Sequence, residues 1–299
     1  MSSPETTWGI GEYPLMARHL QPAAVAAVDA AAVLASERVV DVATGTGNVA
    51  LVAAERGGQV IGVDFEPALL RVAEQRARDA ERDVRWLSGD MVALPVPDDW
   101  ADVVLSVFGV MYAADQAAAA GELARVAAPG ARVVLASWLP GSVLPAMGQV
   151  LSGYLSPPPT GGGPPSRWGD PGALKTLLED SGLRVTATSV QRLALDFPDA
   201  PAAADFLVRT AGHVVSEQQR LTDDGRWDDL RHDLVRFVRH RADPNSKTLR
   251  LTLEYLLATA SNSRRQTRAR CRRSIVERDA SDRNIVRRWR RRVVRGHSP

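Results

Sequence analysis

Two glycines and the aspartates around them are the residues of this sequence whose types and spacing point most directly to chemistry. An apolar run ends in Asp41, and Gly45 and Gly47 follow before apolar residues return at helical spacing. Glycine lets the backbone turn sharply and approach a ligand closely, because it has no Cβ. The helix that follows offers unpaired N–H groups and a partial positive charge at its start. This stretch therefore predicts a cofactor site.

The carboxylates around the turn indicate which cofactor it holds. Residues 45–50 fit the G-x-G-x-x-G/A dinucleotide pattern, which by itself also fits NAD. Asp41 argues against a dinucleotide, because a carboxylate in a semi-buried cleft repels a pyrophosphate. A cationic cofactor fits better, and S-adenosylmethionine (SAM) carries an ammonium and a sulfonium. Asp64 and Asp90 end the next two predicted strands, where they can accept hydrogen bonds from a ribose and an adenine amine.

Short apolar runs alternate with helical patterns beyond these residues, which favours βαβ units and a parallel sheet. The predicted strands are residues 38–42, 59–64, 84–88, 102–107, 131–137, 183–190 and, as the last one, 249–257. Helical patterns cover residues 8–36, 47–56, 67–81, 115–127, 171–181 and 200–241. Pro129 and Gly130 are expected to break the chain just before the fifth strand.

The sequence divides into five predicted regions. We expect an N-terminal helical lid (1–36), a cofactor-binding α/β core (37–155) and a Pro/Gly connector (156–170). After these come the end of the core sheet (171–260), with a helical acceptor-site insertion at about 198–245, and an Arg-rich disordered tail (261–299). The tail holds 14 Arg and 3 acidic residues, whereas the rest of the chain has 23 basic and 32 acidic groups. The body is therefore acidic, and the basic isoelectric point comes from the tail.

Composition narrows the class of protein further. The single cysteine, Cys271, argues against a disulfide framework or a multi-cysteine metal site, and we expect no metal. No apolar run reaches the length of a membrane span, and the first residues lack the basic and apolar parts of a signal peptide. We expect a cytoplasmic protein with no membrane partner, and a homodimer is possible.

The order of these segments resembles the class I SAM-dependent methyltransferases. The likeness rests on residues 39–51, 60–65, 89–90 with 94–95, 102–111 and 125–134, while residues 253–260 resemble the antiparallel seventh strand of that fold. The stretches 8–13 and 106–111 resemble an actinomycete-type branch that acts on small molecules. The resemblance implies a Rossmann-like, doubly wound α/β fold with a seven-stranded sheet whose last strand is antiparallel, plus a helical insertion or lid.

The same resemblance implies which residues bind SAM. They are Asp41, Ala43, Gly45 and Gly47 for the methionine part, Asp64, Phe65, Asp90 and Met91 for the ribose and adenine, and Ser106 and Val107 near the sulfonium. The segment from Trp8 to Tyr13 would close over the cofactor. Each role has a structural alternative: the aspartates could cap turns or helices, and Phe65 could belong to the core.

The acceptor site is less clear from the sequence. A phenol needs a general base, whereas a carboxylate is already an anion. No residue is a secure catalyst, and the candidates are His213, Tyr112 and His19. An apolar acceptor pocket is predicted from Trp138, Leu139, Val143, Leu144, Met147 and Leu151.

Together with the resemblance to the small-molecule branch, the apolar pocket and the lack of a base motif predict O-methylation of a carboxylate or phenol in a small, polyketide-like natural product, as in antibiotic biosynthesis. Two alternatives stay open. One is a cyclase that keeps SAM without transferring its methyl group. The other is an RNA methyltransferase whose basic tail contacts phosphates, although the acidic body and the absence of an N-P-P-Y-like tetrapeptide after the fourth strand argue against a nucleic-acid partner.

Overall fold

The computed structural model describes residues 9–156 and 163–263, and in this part of the chain seven strands form one sheet. The strands are β1 (Arg38–Val42), β2 (Gln59–Asp64), β3 (Val84–Ser88), β4 (Ala101–Val107), β5 (Ala127–Trp138), β6 (Leu183–Phe197) and β7 (Leu249–Asn262). Their order is β3-β2-β1-β4-β5-β7-β6. The first five strands pair in parallel, and β7 lies antiparallel between β5 and β6. The predicted seven-stranded sheet with an antiparallel last strand is confirmed.

Ten helices of the described residues surround or extend this sheet. They are α1 (Tyr13–Ala31), α2 (Asn48–Glu55), α3 (Pro67–Asp79), α4 (Gln116–Val126), α5 (Val143–Leu151), α6 (Pro171–Asp180), α7 (Ala200–Thr210), α8 (Gly212–Val215), α9 (Gln218–Asp223) and α10 (Trp227–Arg241). The central strands carry continuous apolar runs, such as Val103, Val104 and Leu105 of β4, which are fully buried. Such runs are typical of parallel strands whose two faces are both covered by helices.

The strand order reverses beside β1, and this reversal determines where a ligand can bind at the edge of the sheet. The chain runs outward from β1 to β2 and β3, then crosses back to β4 on the other side of β1. The loops after β1 and β4 diverge at this point and leave a crevice outside the carboxyl ends of the strands, where open α/β folds bind their ligands.

Several predicted boundaries need correction. The predicted break at Pro129 and Gly130 is wrong, because β5 already begins at Ala127 and its pairing with β4 shifts register after Ala101. Gly130 takes a left-handed φ of 84°, so the irregular pairing accommodates the Pro-Gly pair within the strand. Strand β6 continues to Phe197, and the predicted helical stretch 200–241 is four separate helices.

The predicted N-terminal lid and the described end of the predicted connector both pack against the core of the protein. Helix α1 does not span 8–36: it ends at Ala31, where Ala32 adopts a left-handed φ of 47°. Its inner face, from Met16 to Ala31, is buried against the core. In the described end of the connector, Trp168 is fully buried, and a Cβ on Gly169 would meet the carbonyl oxygen of Trp138 at 1.8 Å.

Trp8, residues 157–162 of the connector and nearly all of the Arg-rich tail lie outside the described residues, as does Cys271. Among the residues described, no helix combines the length and apolarity that crossing a membrane requires. The same residues contain no group of three or more His, Cys, Asp or Glu side chains that could hold a metal ion.

Candidate active site

The glycine turn forms a tight loop between β1 and α2. Gly45 and Gly47 both adopt left-handed conformations, with φ of 56° and 81°. A Cβ on Gly47 would lie 2.8 Å from the Trp86 ring of β3, so this glycine also lets the loop settle onto the sheet. The N–H of Gly47 donates to the carbonyl of Thr44 at 2.9 Å and closes the turn at the start of α2.

An arginine on α3 fastens this loop from outside the crevice. The Nη1 group of Arg76 donates to the Thr46 carbonyl at 2.6 Å and to Asn48 Oδ1 at 2.7 Å. Asn48 in turn donates through Nδ2 to the carbonyl of Ala17 on α1, also at 2.6 Å. Partial burial lowers the pKa of Arg76, with a smaller contribution from Arg18. The contacts tie α3, the glycine turn and α1 together, and the sequence pattern does not predict them.

Asp41 is a buried carboxylate beneath the turn. Its Oδ2 atom accepts hydrogen bonds from the Thr44 hydroxyl at 2.5 Å and from the Ala50 N–H at 3.1 Å. Burial raises the pKa of Asp41 to about 7, although both hydrogen bonds oppose the rise. Asp41 borders a small pocket of about 20 Å³, which has room for about one water molecule. The side chain therefore caps α2 and also places a poorly solvated charge beside the crevice.

Asp64 lies at the end of β2 and lines the crevice directly. Its Oδ2 accepts from the N–H of Gly45 at 2.7 Å, and its Oδ1 accepts from the N–H of Glu66 at 2.9 Å. Burial raises its pKa against these hydrogen bonds. Since an ionised carboxylate can accept about four hydrogen bonds, each oxygen keeps capacity for a ligand hydroxyl.

A cavity of about 570 Å³ opens at the carboxyl edge of the sheet. One end is formed by the cofactor loops, and the rest by α1, α5, the turn at Pro164–Ser166 and the α7–α8 junction. Its lining is mostly apolar and includes Met16, Leu20, Met111, Leu144, Met147, Leu151 and Leu207. Pockets of this size hold small-molecule ligands.

The structure brings most of the predicted site residues to this cavity. Those that line it are Ala43, Gly45, Asp64, Phe65, Met91, Val107, Tyr112 and His213, together with Trp138, Leu144, Met147 and Leu151 of the predicted acceptor pocket. Leu139, Val143 and Gly47 are not part of the lining. Gly47 contributes through the shape of the turn.

Three further predicted residues lie elsewhere. The Ser106 hydroxyl is buried, donates to the Val42 carbonyl and accepts from the Val110 N–H, so it joins β4 to β1. Asp90 is exposed and accepts from the N–H of Val92 at 3.1 Å. His19 is not part of the cavity lining, and its ring meets Phe206 edge-on with centroids 5.4 Å apart.

An aromatic cluster forms the floor of the acceptor end. Phe108 stacks in parallel on Trp138, with ring centroids 3.6 Å apart. Phe108 holds a left-handed φ of 57°, a conformation that bulky residues rarely adopt and that often accompanies functional loops. The indole of Trp138 also hydrogen-bonds the Tyr112 hydroxyl, and desolvation of that hydroxyl raises its pKa to about 12, although 41% of the Tyr112 residue is exposed. Tyr112 therefore stays protonated at neutral pH.

The N-terminal segment is clasped to the helices that form the acceptor end. The N–H of Glu12 donates to the Arg209 carbonyl at 2.8 Å, and the Arg209 guanidinium donates back to Glu12 Oε2 at 2.8 Å. A Cβ on Gly11 would lie 2.9 Å from the Gly212 nitrogen, so the two segments touch through glycines. Tyr13 follows Glu12 in the N-terminal segment, His213 follows Gly212 in α8, and both line the cavity. Burial raises the pKa of Tyr13.

The comparisons with known proteins agree with this geometry. Residues 40–135 match the model of a methyltransferase domain family. A protein of Mycobacterium tuberculosis strain H37Rv without a described function is 34% identical over 221 residues, which cover 72% of this chain and 79% of that protein. The chain belongs to the class I SAM-dependent methyltransferases. It is an enzyme of that family, and SAM is its cofactor.

One relative with a named activity and one solved structure are also similar to this methyltransferase. A demethylmenaquinone methyltransferase of Thermus thermophilus is 45% identical over 116 residues, covering 38% of this chain and 53% of that protein. The crystal structure of the YcgJ protein of Bacillus subtilis superposes with a TM-score of 0.58 at 17% identity, covering 83% of this chain and all of that one. The structural match shows the shared fold.

The residues of the crevice fit SAM. The left-handed glycine turn leaves space beside Tyr13, where a Cβ on Gly45 would lie 3.5 Å from the Tyr13 ring. Asp64 offers acceptors for ribose hydroxyls, Phe65 and Met91 offer apolar contact to an adenine, and Asp41 supplies buried negative charge for a cation. A dinucleotide pyrophosphate would meet the two carboxylates instead.

Proposed function

We propose that this methyltransferase O-methylates a small, largely apolar natural product, at a phenol or carboxylate of a polyketide-like acceptor. The observation that carries the proposal is the shape and lining of the cavity. The glycine turn and Asp64 lie at one end, and an apolar chamber walled by Trp138, Leu144 and Met147 continues from it. A fused-ring acceptor would therefore reach the donor end while being shielded from water.

Most of the residues predicted from the sequence would hold the cofactor, with Ser106 and Asp90 as the exceptions. SAM supplies an electrophilic methyl group when it is bound. Asp41, through a water in the small pocket, and the backbone of residues 43–47 would hold the methionine part. Asp64 would accept the ribose hydroxyls, and Phe65 and Met91 would pack on the adenine. Val107 would lie near the sulfonium, where it helps to exclude water.

The named relatives support a small-molecule acceptor. The Thermus protein is a demethylmenaquinone methyltransferase, so one relative with a named acceptor methylates a small molecule. The assignments to an actinomycete-type branch and to antibiotic biosynthesis are part of this proposal.

The direct test uses methyl-deuterated SAM, the full chain and a panel of polyketide phenols and acids. Mass spectrometry would show the labelled methyl group on a panel compound if the proposal is right. A product with new connectivity and no label would indicate the cyclase alternative, and label transferred only to added RNA would indicate the RNA methyltransferase. An Asp64→Ala variant, which loses the ribose contact, is the control for background transfer.

Two expectations about the protein's setting stay predictions. Cell fractionation of the native host checks the cytoplasmic location. Light scattering after size-exclusion chromatography checks the homodimer.

A further inference from the structure

We propose that the acceptor is an uncharged aromatic hydroxyl compound and not a carboxylate, with Tyr112 holding its hydroxyl group and His213 accepting its proton. This inference rests on the proposed function, because it concerns the acceptor end of the same cavity. It decides between the two acceptor types that the proposed function leaves open.

The charges of the lining argue against an anionic acceptor. Among the described residues that line the cavity there is no Lys or Arg, and the titratable ones are Tyr13, Asp64, Tyr112 and His213. Arg209, on the neighbouring helix α7, is paired with Glu12 outside the lining. A carboxylate brought into this chamber would lose its hydration without gaining a cationic side chain among the lining residues, and burying a charge that no side chain pairs with is unfavourable. Asp64 would add repulsion.

The apolar walls favour a flat ring. Phe108 and Trp138 present a stacked pair at the floor, and aromatic faces of this kind pack well on further aromatic rings. Met111 and Met147 line the chamber as well, and their flexible thioethers adapt to a ring of irregular outline. The chamber thus offers contact to an aromatic skeleton over most of its surface.

Tyr112 offers the hydroxyl group of such a ring a hydrogen-bond partner. It follows β4 directly and reaches the cavity beside Trp138, whose indole hydrogen-bonds its phenol oxygen. Tyr112 keeps its proton at neutral pH, so it can donate to an acceptor oxygen. A neutral hydroxyl gains this bond without the cost of burying a charge.

His213 is the proton acceptor that remains. Tyr13 and Tyr112 stay protonated, and Asp64 lies at the cofactor end of the cavity, where the proposed function assigns its free acceptor capacity to the ribose. The His213 ring is reachable through the cavity, yet the surrounding protein lowers its pKa, so it is neutral at physiological pH. In the proposed step the acceptor O–H bond breaks, the proton passes to a ring nitrogen of His213, and the electron pair stays on the oxygen as the nucleophile.

The test compares two probes with the same ring system, 1-naphthol and 1-naphthoate, at pH 7.5. Calorimetry is done on the full chain saturated with S-adenosylhomocysteine, after titration of that compound itself. We expect 1-naphthol to bind at least about tenfold more tightly than 1-naphthoate. A Gln149→Arg variant adds a cation at an exposed position of the lining and should shift the preference toward naphthoate, whereas the matched Gln149→Met variant should not.

A second pair of variants tests the two named residues. We expect His213→Gln to bind 1-naphthol as the wild type does but to lower kcat for its methylation by about a hundredfold or more, as loss of a general base does. We expect Tyr112→Phe to weaken naphthol binding instead, with naphthoate binding unchanged.

Several results would overturn the inference. They are equal or tighter binding of naphthoate to the wild type, no binding of either probe, and full turnover of naphthol by His213→Gln. The titration with S-adenosylhomocysteine distinguishes failure of this inference from failure of the proposed function. If it binds and the probes behave otherwise, only the acceptor class is wrong; if it does not bind, the proposed function fails as well.

Discussion

Replacing Asp41 with Asn should stabilise the protein without ligand while weakening its response to SAM. The carboxylate is only 1% exposed, and burial raises its pKa from 3.8 to about 7. Such a rise corresponds to about 4 kcal/mol against folding at a pH above 7, where the carboxylate is ionised in both states. Asn keeps the size of the side chain and one acceptor oxygen for Thr44 and Ala50, but it leaves an amide N–H without a partner.

The gain from removing the buried charge exceeds the cost of the unpartnered amide N–H. An unsatisfied buried donor costs about 1–3 kcal/mol, so the Asp41→Asn variant should be more stable than the wild type by about 2 kcal/mol at pH 8. For a protein of this size that gain raises Tm by roughly 4–8 °C. SAM should raise the Tm of the wild type more than that of the variant, since only the wild type offers the cation a buried negative charge.

The stability advantage of the Asp41→Asn variant should depend on pH, because Asp41 titrates at different pH values in the folded and unfolded states. Because the folded pKa lies above the unfolded one, the penalty is absent below about pH 4, grows as the pH rises through this window and is complete above about pH 7. The advantage of the Asn variant should therefore fall to about zero at pH 5. Differential scanning calorimetry at pH 5 and pH 8 measures it.

The matched control is an Asp→Asn change at an exposed helix cap, where no buried charge is removed. Asp115→Asn replaces an exposed carboxylate that caps α4 through the Ala118 N–H at 2.9 Å, and it should cause a small loss at both pH values. If Asp41→Asn instead loses the same stability at pH 5 and pH 8, Asp41 acts only as a helix cap and the reasoning about its buried charge is wrong.

Three further predictions concern the loops and the core. Arg76→Met removes the donor to the Thr46 carbonyl, so the Kd for SAM should rise about tenfold by calorimetry, and an unchanged Kd would show that the turn holds its shape alone. Gly109→Ala would place a Cβ 2.5 Å from that of Ala43, which should force the loops apart and reduce the thermal shift given by SAM; a wild-type shift would contradict this. Trp168→Phe removes an indole N–H that has no partner among the described residues, so urea unfolding should change by about 1 kcal/mol or less, and a loss above about 3 kcal/mol would reveal a partner.

The cofactor half of the site could be predicted because its signals are local. The glycines of the turn need left-handed backbone, and the strand-end position of Asp64 follows from the alternation of strands and helices. Arg76 could not be found in the same way, since its partners Thr46 and Asn48 lie on another element and the contact exists only after α3 packs beside the turn. Gly109 does carry a local signal, because it lies two residues after the end of β4, where glycine often allows a close backbone approach.

The acceptor half depends on tertiary structure and was predicted less well. The sequence pattern does not predict helix α5, although Leu144 and Met147 within it are predicted pocket residues, as is Trp138 at the end of β5. Its apolar residues are too dense to show a helical period, so the pattern did not separate helix from loop. Tyr112 and His213 meet the cavity from segments about a hundred residues apart, a distance that periodicity cannot bridge.

Calorimetric titration of the wild-type chain with SAM and, side by side, with NAD tests the central claim most directly. The claim is that the crevice formed by the glycine turn and the carboxylates Asp41 and Asp64 selects a cationic cofactor over a pyrophosphate. The account predicts saturable binding of SAM and no measurable binding of NAD at the same concentrations. Tight binding of NAD without binding of SAM would contradict it.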